Sequence, residues 1–212
     1  MGETFSSTAP APFRVGAVVF DGFELLDLYG PMEMFGMLGE TEGGVEITIL
    51  STRAGPVKSA AGPSGMADAA MDDCGGFDIL LVPGGIGTRL LMRDAGFLAR
   101  LRRLAEASTI VATVCTGSML LAATGLLDGR RATSNKLLFK QVKKSAPNVE
   151  WVPRARWVED GKFVTSSGVS AGTDMALALI AKLRDRKCAL RVARRAEYLW
   201  NDDPASDPFA VE

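Results

Sequence analysis

The residues from 109 to 118 include the side chain with the clearest chemical potential, Cys115. A run of β-branched and small apolar residues ends at this cysteine, and Thr-Gly-Ser and a second apolar run follow it. This pattern predicts a buried parallel strand, a sharp turn and a helix that begins at once. A nucleophile on such an elbow lies at the carboxyl edge of the sheet, beside the free N–H groups of the next helix. These groups favour a thiolate and predict a pKa of Cys115 below the reference of about 8.5, whereas the alternative interpretation is a small buried core cysteine.

The sequence contains no histidine. This absence excludes Cys–His and Ser–His–Asp machinery built within one chain, and any zinc site that uses imidazole. The proton partner of Cys115 must therefore be a carboxylate, a hydroxyl, water, or a group from another subunit or from the substrate.

Asp27 is the leading candidate for a carboxylate in this role. It lies in the apolar context Leu-Leu-Asp-Leu shortly before Pro31, where a helix through residues 32–38 is predicted to begin, because proline suits a first helical turn. Its carboxylate could cap that helix, or it could be held against the cysteine to share or shuttle a proton. Glu24 is the competing candidate.

Strands and helices alternate along most of the chain, which predicts an open, doubly wound α/β sheet. The predicted strands are 13–20, 45–50, 77–82 and 109–114, with hairpins within 57–70 and 151–166, and the later helices are 88–105, 119–124, 135–144, 173–183 (capped by Ser170) and 188–200. Ligands bind such sheets at the carboxyl ends of the strands. Three polar loops end there, at residues 21–31, 83–87 and 115–118, and we expect them to converge.

The loop 83–87, Pro-Gly-Gly-Ile-Gly, follows a predicted buried strand. It lacks the G-x-G-x-x-G spacing of a dinucleotide-binding turn. Its glycines permit backbone N–H groups to approach a ligand, as an oxyanion hole requires, and they equally suit a tight strand-to-helix turn.

Composition bounds the class of protein. The 212 residues suit one α/β domain, and we expect a disordered leader over 1–12, a domain over 13–200 and an irregular tail over 201–212. A formal net charge of −1 argues against nucleic acid as a partner, and the sequence has no apolar run long enough to span a membrane. Three widely spaced cysteines suit a reducing cytoplasm; we expect Cys74, in an acidic setting, to be a surface or structural thiol and Cys188 to be packed.

Three motifs together resemble the DJ-1/PfpI (ThiJ) superfamily. They are Pro-Gly-Gly-Ile-Gly at 83–87, Val-Cys-Thr-Gly-Ser at 114–118 and Gly-Val-Ser-Ala-Gly at 168–172. The resemblance extends from residue 13 to about residue 198. Leu-Asp-Leu-Tyr-Gly-Pro at 26–31, combined with the cysteine motif, is similar to the isonitrile hydratase branch.

The resemblance implies a single-domain, flavodoxin-like open parallel sheet sandwiched by helices, as in class I glutamine amidotransferases, and a homodimer. It implies Cys115 as the nucleophile and Asp27 as its acidic partner, with Thr116 and the backbone amides near Gly85 and Ile86 lining the site. We expect no cofactor and no metal.

One position departs from the family pattern. Several branches carry a histidine after an Ala-Thr-x segment, and here Asn135 follows Ala-Thr-Ser, so we expect Asn135 at the substrate-binding position. The leading hypothesis is a cysteine-dependent hydratase that adds water to an isonitrile or a similar small electrophile. The alternatives are a redox-responsive stress protein or a glyoxalase-type enzyme. An amidase or peptidase is disfavoured by the missing histidine. We expect a ligand-sensing module less, because the residues after Trp200 are too few for a helix-turn-helix and the net charge is near zero.

Overall fold

The computed structural model describes residues 12–42 and 44–211. Residues 1–11 of the predicted leader lie outside this part. The chain forms a seven-stranded sheet, a two-stranded antiparallel hairpin and a short two-stranded parallel ribbon. The strands are β1 Phe13–Val18, β2 Val45–Ser51, β3 Gly55–Lys58, β4 Ser64–Ala67, β5 Ala69–Ala70, β6 Ile79–Val82, β7 Ile110–Thr113, β8 Arg131–Ala132, β9 Glu150–Trp151, β10 Trp157–Asp160 and β11 Phe163–Ser166.

Seven helices connect or cover these strands in the described part of the chain. They are α1 Leu25–Glu42, α2 Thr88–Leu91, α3 Ala95–Ala107, α4 Gly117–Ala123, α5 Phe139–Ser145, α6 Ala171–Leu183 and α7 Arg186–Arg195, and a 3-10 turn covers Met71–Asp73. Helices α1, α6 and α7 contact one another, and α3 contacts α4 in a second group. The result is the flavodoxin-like α/β sandwich that the resemblance implied. None of these helices is long and apolar enough to cross a membrane.

The sheet has the strand order β10-β11-β7-β6-β1-β2-β5, and all neighbours are parallel except β10 and β11. Strands β7, β6 and β1 lie side by side at its centre, where all four residues of β6 are buried. Their near-continuous apolar sequences predicted this burial on both faces. Because parallel strands point the same way, the loops that follow these three strands meet at one edge. The predicted hairpins β3–β4 and β10–β11 are confirmed.

Helix α1 begins earlier than expected. The sequence predicted its start at Pro31, but the helix begins at Leu25 and Pro31 lies inside it. Proline has no N–H group to donate to the carbonyl four residues earlier, which belongs to Asp27. Asp27 therefore lies in the first turn of a helix that continues through the proline, instead of preceding the helix.

Other helix boundaries also differ from the prediction. The expected helix over 88–105 is divided into α2 and α3, because Asp94 accepts a hydrogen bond from Phe97 N at 2.9 Å and caps a new helix. The segment expected to be helical from Asn135 forms a turn first, and α5 begins at Phe139. Helix α7 ends at Arg195, and Ser170 precedes α6 without a capping hydrogen bond from its side chain.

The C-terminal residues 201–211 contain neither helix nor strand, yet they pack on the domain. The Pro204 carbonyl accepts a hydrogen bond from Arg156 N at 2.8 Å. The Arg156 guanidinium donates to the buried Asp174 carboxylate at 2.7 Å and lies 4.0 Å from the buried Asp207 carboxylate. The tail thus covers the buried pair Arg156–Asp174 and contributes Asp207 to this group of charges.

Candidate active site

Cys115 lies at the turn between β7 and α4, as the sequence predicted. Its backbone φ is +56°, a left-handed conformation that costs a non-glycine residue on the order of 1–3 kcal/mol. The Cys115 N–H group donates to the Ser167 carbonyl at 2.8 Å, and the Ser118 and Ser134 hydroxyls lie 3.0 and 2.9 Å from the Cys115 carbonyl. A Cβ atom at Gly117 would lie 2.2 Å from the Val82 carbonyl, so only glycine allows α4 to begin this close to the sheet.

The Asp27 carboxyl lies beneath this elbow and is fully buried. Its Oδ2 accepts a hydrogen bond from Gly84 N at 2.8 Å, and Oδ1 has no hydrogen-bond partner among the described residues. A Cβ atom at Gly84 would lie 2.9 Å from Oδ2 and 2.5 Å from Thr116 N, so the loop approaches both groups only because residue 84 is glycine. The carboxyl is bonded to a neighbouring loop and does not cap its own helix, which decides against the capping interpretation.

Burial raises the pKa of Asp27 to about 7. The hydrogen bond from Gly84 opposes this shift, the negative charge of Glu24 adds to it, and the Cys115 thiol lowers the pKa slightly. Near neutral pH the carboxyl therefore exchanges between its acid and base forms. Of the two candidates, Glu24 lines the open cavity and Asp27 is the buried group coupled to the thiol.

The pKa of Cys115 is shifted in the direction opposite to the one expected. Burial first, and the Asp27 charge second, raise the pKa of the thiol to about 12. The N–H group of Thr116 and the side chains of Asn135 and Thr116 lower it by less. The prediction from helix N–H groups was wrong because the thiol is only 6% exposed and faces a carboxylate, so desolvation exceeds the effect of the helix.

Thr116 holds the loop after β6 in place. Its hydroxyl accepts a hydrogen bond from Gly85 N at 3.0 Å and lies 3.2 Å from the Thr88 hydroxyl, which donates to the Gly85 carbonyl at 2.8 Å. The Gly85 amide is therefore occupied, and the expectation that it binds a developing anion is not met. Ile86 lines the cavity with a side chain that is 54% exposed.

Asn135 contacts the candidate nucleophile directly. Its Nδ2 donates to Cys115 Sγ at 3.2 Å, while its Oδ1 accepts a hydrogen bond from Leu138 N at 3.0 Å. The second bond fixes which end of the amide faces the sulfur. An amide in this position stabilises a thiolate but cannot remove its proton, so the proton must go elsewhere.

Replacing Asn135 by alanine is expected to slow alkylation of Cys115 by about tenfold at a fixed pH near 9. One hydrogen bond to a charged acceptor is lost, which raises the pKa of the thiol. The rate is measured with a neutral alkylating agent, by mass spectrometry of the peptide that contains residue 115. Asn135→Asp is the matched variant, since it keeps the acceptor for Leu138 N and replaces the donor by a carboxylate. It should react more slowly than Asn135→Ala, and a rate equal to that of the parent chain in either variant would contradict this role.

A cavity of about 500 Å³ opens above Cys115. The predicted residues that line it are Glu24, Gly85, Ile86, Cys115, Thr116 and Asn135. The sequence did not single out the other lining residues, Thr88, Arg89, Met92, Arg93, Met119, Leu138, Gln141 and Val169. Val169 lies in the motif at 168–172, but that motif did not indicate that it lines the cavity. In the described part of the chain, no group of three or more cysteine, aspartate or glutamate side chains is placed to hold a metal ion.

The other two cysteines lie apart from this cavity. Cys74 is partly buried and Cys188 is 2% exposed in the core, as expected for a packed thiol. Neither lines the cavity above Cys115.

Comparison with known proteins shows which family the chain resembles. The family model described as the DJ-1/PfpI family matches residues 13–182. An isonitrile hydratase of Pseudomonas putida is 33% identical over 186 residues, which are 87% of this chain and 78% of the relative. A deglycase of Thermococcus kodakarensis is 31% identical over 148 residues, 69% of this chain and 84% of the relative. A ThiJ/PfpI family protein from Pseudomonas syringae superposes with a TM-score of 0.77 at 30% identity, covering 93% of this chain and 81% of its own.

These similarities agree with the fold and with the motifs of the three converging loops. The family match alone extends over most of the described domain. The chain belongs to the DJ-1/PfpI family.

Proposed function

We propose that this chain is a cysteine-dependent hydratase that adds water to an isonitrile or a similar small electrophile and releases an N-substituted formamide. One observation carries the proposal: the buried Asp27 carboxyl, with Oδ1 unpaired among the described residues, is coupled to the Cys115 thiol in a sequence without histidine. This pair supplies a nucleophile and a proton acceptor. The similarity to an isonitrile hydratase supports the choice of substrate class.

The first step is addition of the thiol to the isonitrile carbon. The Asp27 carboxylate takes the proton from Cys115 as the sulfur forms a bond to the terminal carbon. The proton is then delivered to the same carbon, and the product is a thioimidate, Cys–S–CH=N–R. Nothing leaves in this step. Asn135 Nδ2 stabilises the sulfur while it carries negative charge, which offsets part of the cost of forming a thiolate in a buried site.

The second step is hydrolysis of the thioimidate. The Asp27 carboxylate accepts a proton from water as the water oxygen bonds to the former isonitrile carbon, and it passes this proton to the imidate nitrogen. The C–S bond then breaks, the remaining hydroxyl becomes the carbonyl of the formamide, and Asp27 transfers the hydroxyl proton to the sulfur. The sum is one isonitrile plus one water giving one formamide, with Cys115 and Asp27 returned to their starting states. Both steps need a group that exchanges a proton near neutral pH, and the pKa of Asp27, about 7, suits this task.

Incubation with a series of alkyl isonitriles in water enriched in ¹⁸O tests the proposal. We expect formamide that carries the heavy oxygen. We also expect a transient adduct on Cys115 that increases the mass of the protein by the mass of one isonitrile molecule. Absence of formamide with every isonitrile would refute the proposal. Methylglyoxal is included in parallel, because lactate production would favour glyoxalase-type chemistry on the same thiol.

The redox-responsive alternative finds less support in the site. Rapid oxidation to sulfenic acid requires an accessible thiolate of low pKa. Cys115 is buried, and its pKa is raised by burial and by Asp27. The hydratase scheme needs a thiolate only during the reaction.

We further propose that the chain acts as a homodimer in the cytoplasm. Leu26 and Tyr29 on α1 are 48% and 40% exposed and line an open apolar depression together with Met34. The mass in solution is expected to be twice that of the chain. The double variant Leu26→Glu/Tyr29→Glu should have the mass of a single chain. Leu190→Glu, an equally exposed residue on α7, is the control and should leave the dimer intact.

A further inference from the structure

Two arginines on one side of the cavity have no role in the scheme above. Arg89 lies on α2, and Arg93 lies in the turn that follows this helix. Both line the cavity, both side chains are exposed, and neither guanidinium has a hydrogen bond or an ion pair within residues 12–42 and 44–211. Other arginines of the described part of the chain do form ion pairs with carboxylates, as in Arg100–Asp72, Arg102–Glu106, Arg130–Asp160 and Arg156–Asp174.

The side chains that line the cavity carry charges of both signs, with Glu24 in addition to the two arginines. Glu24 acts on the carboxyl of the buried Asp27, which is coupled to Cys115. Neither Arg89 nor Arg93 is among the groups that shift the pKa of Cys115 or of Asp27. The arginines therefore do not activate the thiol, and their charge is available to another part of the ligand.

The cavity also has apolar side chains in its lining. They are Met92, Met119, Leu138 and Val169. A ligand that fills the cavity thus meets the Cys115 thiol, an apolar surface and two guanidinium groups that have no partner in the described part of the chain. Guanidinium groups bind carboxylates through paired, charge-assisted hydrogen bonds.

We propose that the electrophile attacked by Cys115 carries a carboxylate on a short apolar body, and that Arg89 and Arg93 bind this carboxylate. The substrate class is then an isocyano carboxylic acid instead of a simple alkyl isonitrile. This inference rests on the proposed function for the nature of the electrophile, and on the cavity alone for the carboxylate. Arg89 and Arg93 are specificity residues that bind the carboxylate of the ligand.

The first test measures selectivity without turnover. Cys115 is alkylated with a maleimide that bears a carboxyethyl arm and, separately, with the methyl ester of the same compound, and the rates are followed on the peptide that contains residue 115. The ratio of acid rate to ester rate, divided by the same ratio for free cysteine, is expected to be about ten. It should decrease as salt is added, because the arginines are exposed.

Variants assign this selectivity to the two arginines. In Arg89→Gln/Arg93→Gln the corrected ratio should fall to about one. Arg53→Gln/Lys187→Gln removes the same net charge from exposed positions outside the cavity and should keep most of the selectivity. A corrected ratio near one in the parent chain, or the same ratio in the arginine variant as in the parent, would overturn the inference.

The second test uses turnover, and it separates this inference from the proposed function. We expect kcat/KM for an isocyano carboxylate to exceed that for its methyl ester by about tenfold, and the arginine variant to lose this preference through KM. If no isonitrile is hydrated but the acid-selective alkylation persists, the hydratase proposal fails and the carboxylate site stands. If acid and ester are hydrated equally well by both proteins, the carboxylate site fails and the hydratase proposal stands.

Discussion

Cys115→Ala is expected to reduce isonitrile hydration by more than about a thousandfold, because both steps of the scheme pass through a bond to this sulfur. Binding of the substrate should change little, since the cavity is formed by at least a dozen other residues. The measurement is formamide release at saturating isonitrile, together with the mass of the protein after rapid mixing. The parent chain should show the adduct and the variant should not.

Two controls separate chemistry from folding in this experiment. Cys115 occupies a left-handed backbone conformation held by hydrogen bonds to Ser167, Ser118 and Ser134, none of which uses the thiol. Cys115→Ala should therefore unfold in urea at nearly the same concentration as the parent. Cys74→Ala removes a thiol outside the cavity and should retain full activity. Undiminished hydration in Cys115→Ala would show that the sulfur is not the nucleophile.

The elbow and the meeting of the three loops could be predicted from the sequence because each depends on strong local patterns. Continuous apolar runs predict central parallel strands, and parallel strands bring their following loops to one edge. Gly84 and Gly117 lie where a Cβ atom would collide with the neighbouring loop or strand. The glycines in these motifs therefore indicate, from the sequence, where two segments of the fold approach closely. The position of Cys115 follows from the same patterns.

The electrostatics of the site could not be predicted from these patterns. Helix N–H groups act locally and favour a thiolate. The burial of Cys115 and its closeness to Asp27, which is distant in sequence, appear only in the folded structure. The start of α1 was misplaced because proline at an internal helical position looks in sequence like a first turn. Asn135 was placed near the site only by the family pattern, and the turn that aims its amide at the sulfur has no sequence signature of its own.

Asp27→Asn is expected to lower kcat by about 10²–10⁴-fold, the usual contribution of a general base. The parent rate should rise with pH and level off above about 7, because Asp27 must be ionised to accept the thiol proton and burial raises its pKa to about 7. Asn has no such ionisation, so the variant should lose this rise. Glu24→Gln tests the competing candidate and should keep the rise at a slightly lower pH, since it removes a negative charge that raises the pKa of Asp27. Asp21→Asn, a carboxyl of the same loop outside this cavity, should behave as the parent.

Asp27→Asn should also stabilise the fold, and this gain in stability distinguishes a catalytic carboxyl from a structural one. An unfolded aspartate ionises near 3.9, whereas Asp27 in the folded chain ionises near 7. The folded state therefore binds the proton more tightly, and the parent loses stability as pH rises from about 4 to about 7 and remains at that lower level above it. The cost of ionising the buried carboxyl is on the order of 4 kcal/mol at the plateau.

Asparagine avoids this ionisation cost, and its Oδ1 can still accept the hydrogen bond from Gly84 N. Urea unfolding at pH 5, 6, 7 and 8 should give Asp27→Asn a free energy of unfolding above that of the parent, by a margin that widens up to about pH 7 and is then constant. A variant that is both less active and less stable at pH 8 would mean that the carboxylate is held for structure. Loss of activity together with a gain in stability is the result expected if the fold maintains a buried base at the cost of stability, because the thiol of Cys115 has no imidazole to take its proton.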